Sequence, residues 1–339
     1  MRFRRVQLGD GTGALAVHDD DAGRWVPIEP TLHALGQALD VGPSGGDMPP
    51  AEDLIALLAG GEATRHRLSE LCAQARERKL AIDCAPAPLL PFQPLLMRAF
   101  ATSERHWVQS ARGHVARNLP AALPLIDAYQ RIARRPFPPL RPRRLFYEQP
   151  SYYIGNALTF LPDGAEAPWP AYTKALDFEI ELGAVVVRSV REASVEQARE
   201  AIGGFVVVND LSARDTQWQE IRHGIFGPLA KTKTFASTMG AEVVSADQII
   251  DRARSLRAEV RVNGQCWSRT DTADQRWSFE EMLAFAARGE TVHAGELLSS
   301  GTLHDGCSLE IGRWLAPGDL LELSIEGVGS VTNRIGEPA

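Results

Sequence analysis

The sequence predicts a β-rich α+β protein with a small N-terminal domain and a larger C-terminal one. Its 339 residues are 44% hydrophobic and 23% charged, which is ordinary composition for a globular chain long enough for two domains. The proline-rich segment 85–97 places a boundary near residue 90, so the predicted domains are 1–90 and 91–339. From about residue 145 onward, short alternating apolar stretches predict strands.

The N-terminal domain is predicted to consist of hairpins and a helix. Its opening stretches, RFRRVQLGDG, GALAVHDDDAG and RWVPIEP, alternate apolar and polar residues and are broken by Gly and Asp, which is typical of hairpins. Residues 48–77 then carry apolar side chains at spacings of three and four behind a pair of prolines, which predicts a helix.

The C-terminal domain is predicted to mix helices with many strands. Residues 98–135 have a mostly helical pattern, and the final stretch GDLLELSIEGVGSVTNRIG predicts a hairpin around Gly327 and Gly329. Helices inserted among the strands are predicted at 193–203, 213–222 and 278–288.

Composition and charge argue against several classes of partner. The net charge of −7 and the pI near 5.7 disfavour nucleic acid, which requires a basic face. The arginine-rich RRPFPPLRPRR could contact an anion, but a proline-stiffened connector is the favoured interpretation. No run approaches the ~18 apolar residues that a membrane span needs, and the first residues lack a signal-peptide pattern. A cytoplasmic protein without membrane contact is therefore expected.

The four cysteines do not form a recognisable motif. They show no C-x-x-C spacing and no nearby paired histidine, so neither a zinc site nor a disulfide framework is predicted. The cysteines are Cys72, Cys84, Cys266 and Cys307.

An acidic alternation marks the stretch KALDFEIELGAVV, residues 174–186. Asp177, Glu179 and Glu181 alternate with apolar residues, so on a strand they share a face, with neighbours roughly 6–7 Å apart. A hard divalent cation would offset their repulsion, because oxygen ligands suit Mg²⁺, Ca²⁺ and Mn²⁺. A solvated polar face explains the same alternation, so this stretch alone leaves both interpretations open.

A further acid follows an apolar strand in AIGGFVVVNDLSARDTQ. Asp210 lies at the mouth of this strand, which is a rigid place for a ligand, and Arg214 and Gln217 share one face of the helix predicted next. Lys231 and Lys233 are predicted on a turn or short strand. A helix cap at Asp210, a surface ion pair of Arg214 and solvated lysines are the alternative interpretations.

Four segments together resemble the fumarylacetoacetate hydrolase family. They are LDFEIELGAVV, VVVNDLSARDTQWQE, GPLAKTKTFAST and SSGTLHDGCSLEIGRWLAPGDLLELSIEGVGSV, and they occur in the family's order. The likeness extends over roughly residues 98–335. It implies a β-roll of mixed sheets for the larger domain, a small and mostly β N-terminal domain, and a homodimer.

The resemblance implies a metal site on three carboxylates. Glu179, Glu181 and Asp210 match the family's ligands, with Mg²⁺ as the expected ion and Mn²⁺ or Ca²⁺ as alternatives. Asp177 is expected to be a hydrogen-bonding residue at the strand end rather than a ligand. An aspartate that adds a ligand in fumarylacetoacetase-like members corresponds to Ala99, so this departure points to a differently shaped acyl group in the substrate.

The resemblance also implies the catalytic groups. His106, in MRAFATSERHWVQSAR, matches the histidine that activates water and Glu310 matches its orienting acid, while Glu104 is expected to be only a neighbour. Tyr153 and Thr302 match substrate-binding positions. The residues that match those stabilising negative charge on the substrate are Arg214, Gln217 and Lys233.

The expected function is that of a metal-dependent hydrolase. It would cleave a carbon–carbon bond in a small β-diketo acid of the acylpyruvate or fumarylacetoacetate type, in aromatic-compound or amino-acid catabolism. A related 2-oxo acid hydratase, decarboxylase or isomerase is the enzymatic alternative. A catalytically silent metal-binding relative is the alternative of another class.

Overall fold

The computed structural model of the chain describes residues 1–36, 51–225, 227 and 230–339. The predicted helix at 48–77 starts with three residues, 48–50, that lie outside the described residues. Within the described part it is two helices with Gly60 between them, because Gly61 takes a left-handed φ of 59°. Phe226, Pro228 and Leu229, in and beside the predicted lysine segment, also lie outside the described residues.

The strands, in chain order, are β1 Arg2–Leu8, β2 Gly13–Asp19, β3 Arg24–Pro27, β4 Cys84–Pro86, β5 Met97–Phe100, β6 Tyr152–Gly155, β7 Phe160–Pro162, β8 Glu166–Trp169, β9 Leu176–Asp177, β10 Ile180–Val186, β11 Val190–Arg191, β12 Ile202–Asn209, β13 Ser212–Ala213, β14 Ser237–Met239, β15 Glu242–Ser245, β16 Arg257–Val262, β17 Gln265–Asp271, β18 Thr291–Val292, β19 Leu297–Ser299, β20 Leu320–Ile325 and β21 Gly329–Pro338.

The helices are α1 Ile28–Ala34, α2 Leu54–Ala59, α3 Gly61–Glu77, α4 Glu104–Asn118, α5 Leu123–Ala133, α6 Leu145–Glu148, α7 Val195–Ala201, α8 Arg214–His223, α9 Ala246–Ile249, α10 Phe279–Ala286 and α11 Ser308–Ile311. None of these helices in the described part of the chain combines the length and apolarity needed to cross a membrane.

The largest sheet is mixed and has β10 and β12 at its centre. Its strands follow the order β3–β2–β1–β15–β12–β10–β19–β5–β6, with β4 beside β1 and β14 between β12 and β7. Most neighbours are antiparallel, whereas β19–β5 and β14–β7 are parallel. Every residue of β10 and β12 is buried, because both faces of these apolar strands are covered. The central pair is therefore a rigid platform for the side chains at its ends.

A second sheet has the order β17–β16–β20–β21–β8, and two short pairs, β11–β18 and β13–β9, complete the strands described. The antiparallel pair β20–β21 is the hairpin predicted at the C-terminus, and Gly327 turns it with a φ of 76°. Helices α7, α8 and α10 lie where helices are predicted among the strands. The β-rich α+β class is confirmed.

Apolar residues cover the central sheet on both faces. On one face Leu182 and Val207 pack in the large core that also holds residues of the second sheet, α7 and α10. On the other face Val185 and Val206 pack in a core with N-terminal residues such as Phe3. This division follows from strand geometry, since successive side chains point to opposite faces.

The N-terminal hairpins extend the central sheet. Strand β1 pairs with β2 on one side and with β15 on the other, with Phe3 opposite Val243. The predicted hairpins are present as β1–β2 and β2–β3. The domain boundary near residue 90 stays a prediction.

Candidate metal centre and active site

Three carboxylates meet at one end of the central strands. Glu179 precedes β10, Glu181 is its second residue, and Asp210 follows β12. One oxygen of each lies within 4.8 Å of the other two, and all three side chains are buried. They converge because β10 and β12 are antiparallel with Ile180 opposite Asn209, so the residues on either side of this pair come together.

The predicted acidic strand is broken just before this site. Asp177 belongs to β9, which pairs with β13, and β10 begins only at Ile180. The side chain of Asn209 fills the break, since its Oδ1 accepts a hydrogen bond of 3.0 Å from the amide nitrogen of Glu179. Asp177 is not one of the three clustered carboxylates, although it shares their alternation in the sequence, and Arg214 donates to both Asp177 and Glu179.

Asp177 instead joins two elements of the site. Its Oδ1 accepts from the amide nitrogen of Ser308 at 2.6 Å and its Oδ2 from that of Leu309 at 3.1 Å, so it satisfies the start of α11. The same Oδ2 accepts from Arg214 Nε at 2.7 Å. Asp177 therefore has the hydrogen-bonding position expected of it, and it ties the first residue of α8 to α11.

Two buried cations flank the carboxylates. The Nζ of Lys233 donates to Glu179 Oε2 and, at 2.8 Å, to Asp210 Oδ2, while Arg214 donates to Glu179 Oε1 at 2.5 Å. Both cations are buried, whereas Lys231 is exposed. Asp210 is not a helix cap, because α8 starts after Ala213 and has no side-chain cap.

The negative charge in the site is only partly matched. Burial raises the pKa of Glu179, but Lys233 and Arg214 outweigh it and hold that pKa well below its ordinary value. Among the described residues, Glu181 accepts only from the hydroxyls of Ser299 and Thr302. Burial together with the nearby Asp210 and Glu179 charges raises its pKa well above the usual range. A buried carboxylate without a cation is costly. The donor set of three clustered carboxylates therefore fits a hard divalent cation.

His106 and Glu310 face each other across α4 and α11. His106 Nδ1 lies 3.0 Å from Glu310 Oε2, an ion-pair distance, although the angles of the contact fall outside hydrogen-bond geometry. Burial lowers the pKa of His106, but its interactions with Glu310 together with the Glu179 charge outweigh burial and raise the pKa above its ordinary value. Glu104 accepts from Tyr147 Oη at 2.6 Å instead, which agrees with its expected place as a neighbour.

Cys307 lies beside this pair, although cysteine spacing in the sequence gives no indication of it. Its Sγ is 3.4 Å from Glu310 Oε2, and one ligand atom from each of His106, Cys307 and Glu310 lies within 4.8 Å of the other two. The structure therefore adds Cys307 to this group, and the statement that cysteine spacing predicts no zinc site stays a prediction. Spacing does not reveal the cluster because His106 lies on α4, far along the chain from Cys307 and Glu310 at α11, and only the fold brings them together.

Gln217 has a second partner that the sequence does not indicate. Its Oε1 accepts from Arg214 at 2.9 Å and lies 2.8 Å from Nε2 of His114, a buried residue of α4. Burial first, and the Arg214 charge second, lower the pKa of His114 to about 4. His114 carries no motif, and only its place on the His106 helix could have suggested it.

The two predicted substrate-binding residues touch the carboxylates. The hydroxyl of Tyr153 donates to Asp210, and Thr302 Oγ1 lies 3.4 Å from Glu181 Oε1. Burial raises the pKa of Tyr153 well above its usual value, so its hydroxyl is a donor at neutral pH. Both residues thus lie at the metal site, and their contact with substrate stays a prediction.

Ala99 lies where an additional acid would reach this site. It is opposite Ser299 on one side and Tyr153 on the other, and the side chains of both these residues contact the carboxylates. Paired residues of neighbouring strands face the same side of a sheet. A methyl group therefore replaces a carboxylate at the edge of the site.

The family follows from a direct comparison. The family model described as fumarylacetoacetate hydrolase C-terminal matches residues 138–336, more than half of the chain. The chain belongs to the fumarylacetoacetate hydrolase family. Both the acidic triad and the α11 residues Ser308–Ile311 lie inside the matched segment, whereas His106 lies before it.

Two relatives in this family are tautomerases. The oxaloacetate tautomerase YisK of Bacillus subtilis is 32% identical over 165 residues, which are 48% of this chain and 53% of YisK. The human mitochondrial oxaloacetate tautomerase FAHD1 is 26% identical over 196 residues, which are 58% of this chain and 85% of FAHD1. The match spans about half the length of YisK.

Two solved structures share the fold. The fumarylacetoacetate hydrolase of Exiguobacterium antarcticum has a TM-score of 0.63 at 18% identity, and the alignment covers 99% of both chains. The fumarylpyruvate hydrolase of Pseudomonas aeruginosa, in complex with Mn²⁺ and pyruvate, has a TM-score of 0.53 at 20% identity, over 74% of this chain and 99% of that one. At these identities the likeness confirms the family fold.

Proposed function

We propose that this protein is a divalent-metal-dependent hydrolase that cleaves a carbon–carbon bond in a β-diketo acid of the acylpyruvate or fumarylacetoacetate type. The observation that carries the proposal is His106 Nδ1 at 3.0 Å from Glu310 Oε2 in a protein of this family that also has the carboxylate triad. An imidazole with a carboxylate partner is a common general base, which hydrolysis needs in order to activate water.

Glu179, Glu181 and Asp210 would hold the cation, for which we propose Mg²⁺, with Mn²⁺ or Ca²⁺ as alternatives. When bound, such an ion polarises substrate oxygens and orients them. Support comes from the similar fumarylpyruvate hydrolase, whose structure contains Mn²⁺ and pyruvate.

The proposed reaction uses His106 as the base. Neutral His106 accepts a proton from water, and the hydroxide oxygen bonds to the carbonyl carbon remote from the acid end of the substrate. The carbon–carbon bond between this carbonyl and the central carbon then breaks, and its electron pair stays on the 2-oxo acid half as an enolate. A proton returns to that central carbon, and the other half leaves as a carboxylic acid. Glu310 stabilises the imidazolium of His106 in between.

Developing negative charge would be met by donors of α8 and of the lysine segment. Arg214 and Lys233 supply positive charge within the site. The amide nitrogen of Gln217 has no hydrogen-bond acceptor among the described residues, so it is free to donate to substrate. Tyr153 and Thr302 are proposed to help hold the substrate carboxylate.

Keto–enol tautomerisation or isomerisation of a 2-oxo acid is the second candidate. The names of the relatives YisK and FAHD1 favour it. Such a reaction moves a proton between carbon and a base and does not consume water. Its rate should therefore depend less on water activation by His106 and Glu310.

A substrate panel separates the candidates. Purified protein with Mg²⁺ or Mn²⁺ is given several acylpyruvates, and loss of enol absorbance is measured together with release of pyruvate. Oxaloacetate is tested in parallel for enol-to-keto conversion without cleavage. His106→Gln is expected to lower pyruvate release about 10²–10⁴-fold, because general base catalysis contributes that much. His66→Gln, at an exposed position of α3, is the matched control and should change nothing.

Two outcomes would count against hydrolysis, and one would count against the role of His106. Loss of enol absorbance without pyruvate would indicate a tautomerase or isomerase. Pyruvate release that survives His106→Gln would remove the proposed base. A protein that binds metal yet changes no diketo acid and no oxaloacetate would be a silent relative.

A further inference from the structure

The cluster of His106, Cys307 and Glu310 has the composition and spacing of a second metal site. Nδ1 of His106 is 3.0 Å from Glu310 Oε2, and Sγ of Cys307 is 3.4 Å from the same oxygen. In tetrahedral Zn²⁺ sites the metal–ligand bonds of about 2.0–2.3 Å place neighbouring ligand atoms roughly 3.2–3.7 Å apart. The two separations from Glu310 Oε2 are therefore close to those that one such ion requires, and one ligand atom of each residue lies within 4.8 Å of the other two.

The surroundings of the cluster also leave donor capacity unused. His106 Nδ1 and Glu310 Oε1 are buried atoms without a hydrogen-bond partner among the described residues. The side chains of Cys307 and Glu310 are buried, while the His106 side chain is 18% exposed, so solvent reaches the cluster at His106. Because one donor is nitrogen and one is sulfur, this set suits thiophilic ions, whereas the oxygen-only triad suits hard ions.

We propose that His106, Cys307 and Glu310 form a binding site for a thiophilic divalent cation, such as Zn²⁺ or Co²⁺, that is separate from the carboxylate triad. The Cys307 thiol releases its proton when its sulfur binds the ion. If the proposed hydrolysis is correct, such an ion takes Glu310 and the imidazole lone pair away from the reaction and inhibits it, so thiophilic metals regulate the site negatively.

Cobalt provides a test that does not depend on turnover. The full chain is saturated with Mg²⁺ and then titrated with CoCl₂, and the near-ultraviolet thiolate-to-cobalt charge-transfer band is recorded. The wild type is expected to show this band, and Cys307→Ser should lose it and weaken Co²⁺ binding by more than about tenfold. Cys266→Ser, which alters a partly exposed cysteine of β17, is the control and should retain the band.

Further variants keep the test decisive. Glu310→Gln keeps the Cys307 thiol but removes the charged ligand, and it should weaken Co²⁺ binding. Circular dichroism establishes that each variant is folded. If Cys307→Ser does not fold, Cys307→Ala replaces it. A band that survives loss of Cys307, or no band in wild type at saturating Co²⁺, would overturn the site whether or not the protein is a hydrolase. Zn²⁺ inhibition that is equal in wild type and Cys307→Ser would overturn the regulatory consequence.

A separate observation concerns His114. Arginine can only donate, so the Gln217 atom 2.9 Å from Arg214 is its carbonyl Oε1. His114 Nε2 lies 2.8 Å from the same oxygen and must therefore carry the hydrogen. With both donors on Oε1, the amide nitrogen of Gln217 is directed away from them. His114 is only 6% exposed and its Nδ1 has no partner among the described residues, so it stays in this one tautomer.

We infer that His114 is a positioning residue, which holds the Gln217 amide so that its NH₂ group is presented to substrate. This inference rests on the proposed function only for the role of Gln217. His114→Gln keeps a donor near the Nε2 position and should retain most activity, while His114→Leu removes the donor and should lower kcat about tenfold with little change in KM. In a Gln217→Ala background, His114→Leu should have no further effect on kcat.

A readout independent of activity decides the tautomer. Nitrogen-15 spectra of histidine-labelled protein should show an imidazole with protonated Nε2 and bare Nδ1 that disappears in His114→Leu. A protonated Nδ1 would overturn the inference. The inference would also be overturned if His114→Leu lowered kcat by the same factor in the Gln217→Ala background as in wild type. Such a result would indicate a merely structural role for His114.

Discussion

Glu179 and Glu181 lie two residues apart, yet their surroundings push their pKa values in opposite directions. Glu179 contacts Lys233 and Arg214, whereas the donors to Glu181 in the described part of the chain are hydroxyl groups. Positive charge is thus concentrated on one side of the carboxylate triad, and the uncompensated charge lies at Glu181. A bound cation would complete the charge balance at that residue.

Replacing the Glu181 carboxylate with an uncharged amide should stabilise the metal-free protein. The folded pKa of Glu181 is raised above its ordinary 4.5, so the folded state binds the proton more tightly than the unfolded state and stability falls as pH rises from about that value. In EDTA, Glu181→Gln should therefore raise the free energy of unfolding over wild type by about 1–3 kcal/mol at pH 8 and by less at pH 5.

Urea unfolding at the two pH values measures this difference. Glu326→Gln, which alters an exposed ion pair with Arg257, is the control and should follow wild type. A Glu181→Gln protein that is less stable than wild type in EDTA at pH 8 would contradict an uncompensated charge at this position.

At the scale of elements, the pairing of His106 with Glu310 depends on how closely α4 approaches α11. Gly113 of α4 lies against the carbonyl of Leu309, and a Cβ at Gly113 would come within 2.2 Å of that oxygen. Glycine in a helix costs about 1 kcal/mol relative to alanine, so its use here is explained by the contact rather than by helix propensity. Asp177 also fixes the position of α11, because its carboxylate accepts hydrogen bonds from the first two residues of that helix.

Gly113→Ala should therefore separate the two helices despite its better helix propensity. Catalysis should fall at least about tenfold, since a displacement near 1 Å is costly, and the melting temperature should fall as well. The comparison is Ala116→Gly at an exposed position of the same helix, which should cost about 1 kcal/mol of stability and leave kcat unchanged. If Gly113→Ala were both more stable and fully active, the close approach would not matter.

At the scale of the whole molecule, the proposed metal would join distant parts of the chain. Its ligands are the residue before β10, the second residue of β10 and the residue after β12. Side chains from β6, β19 and the lysine segment contact those ligands. An ion that binds only the folded state stabilises it by mass action.

Calorimetry should detect this linkage. Mg²⁺ at 100 times its Kd should add about 2.7 kcal/mol relative to EDTA and raise the melting temperature by several degrees. Glu181→Gln should lose most of this response, and Mn²⁺ and Ca²⁺ can be ranked in the same way. A wild-type transition that is equal in EDTA and in saturating Mg²⁺, Mn²⁺ and Ca²⁺ would contradict the metal site.

Assembly and location stay predictions at this scale. The homodimer rests on the family resemblance, and sedimentation velocity would measure it. The cytoplasmic location is an expectation from the sequence alone, and fractionation of cells would measure it.

The site was predictable where local pattern and family motif agree. The alternation around Glu179 and Glu181 leaves a solvated face and a metal site both open, and the family resemblance, which adds Asp210, is what predicts a metal centre there. Local pattern does not predict that Asp177 lies outside the triad or that Asn209 accepts from Glu179, because both depend on tertiary contacts. Local pattern also does not indicate Cys307 and His114, because their contacts with His106 and with Gln217 join segments far apart in the chain.

The sequence by itself determined the β-rich class, the hairpins and the residue types that could bind a hard cation, because periodicity and side-chain chemistry are local properties. Only the tertiary structure decided which charges are compensated, which tautomer His114 adopts and that a thiol lies beside His106. Those properties depend on burial and on distances of a few ångströms between segments far apart in the chain, and local pattern does not encode them.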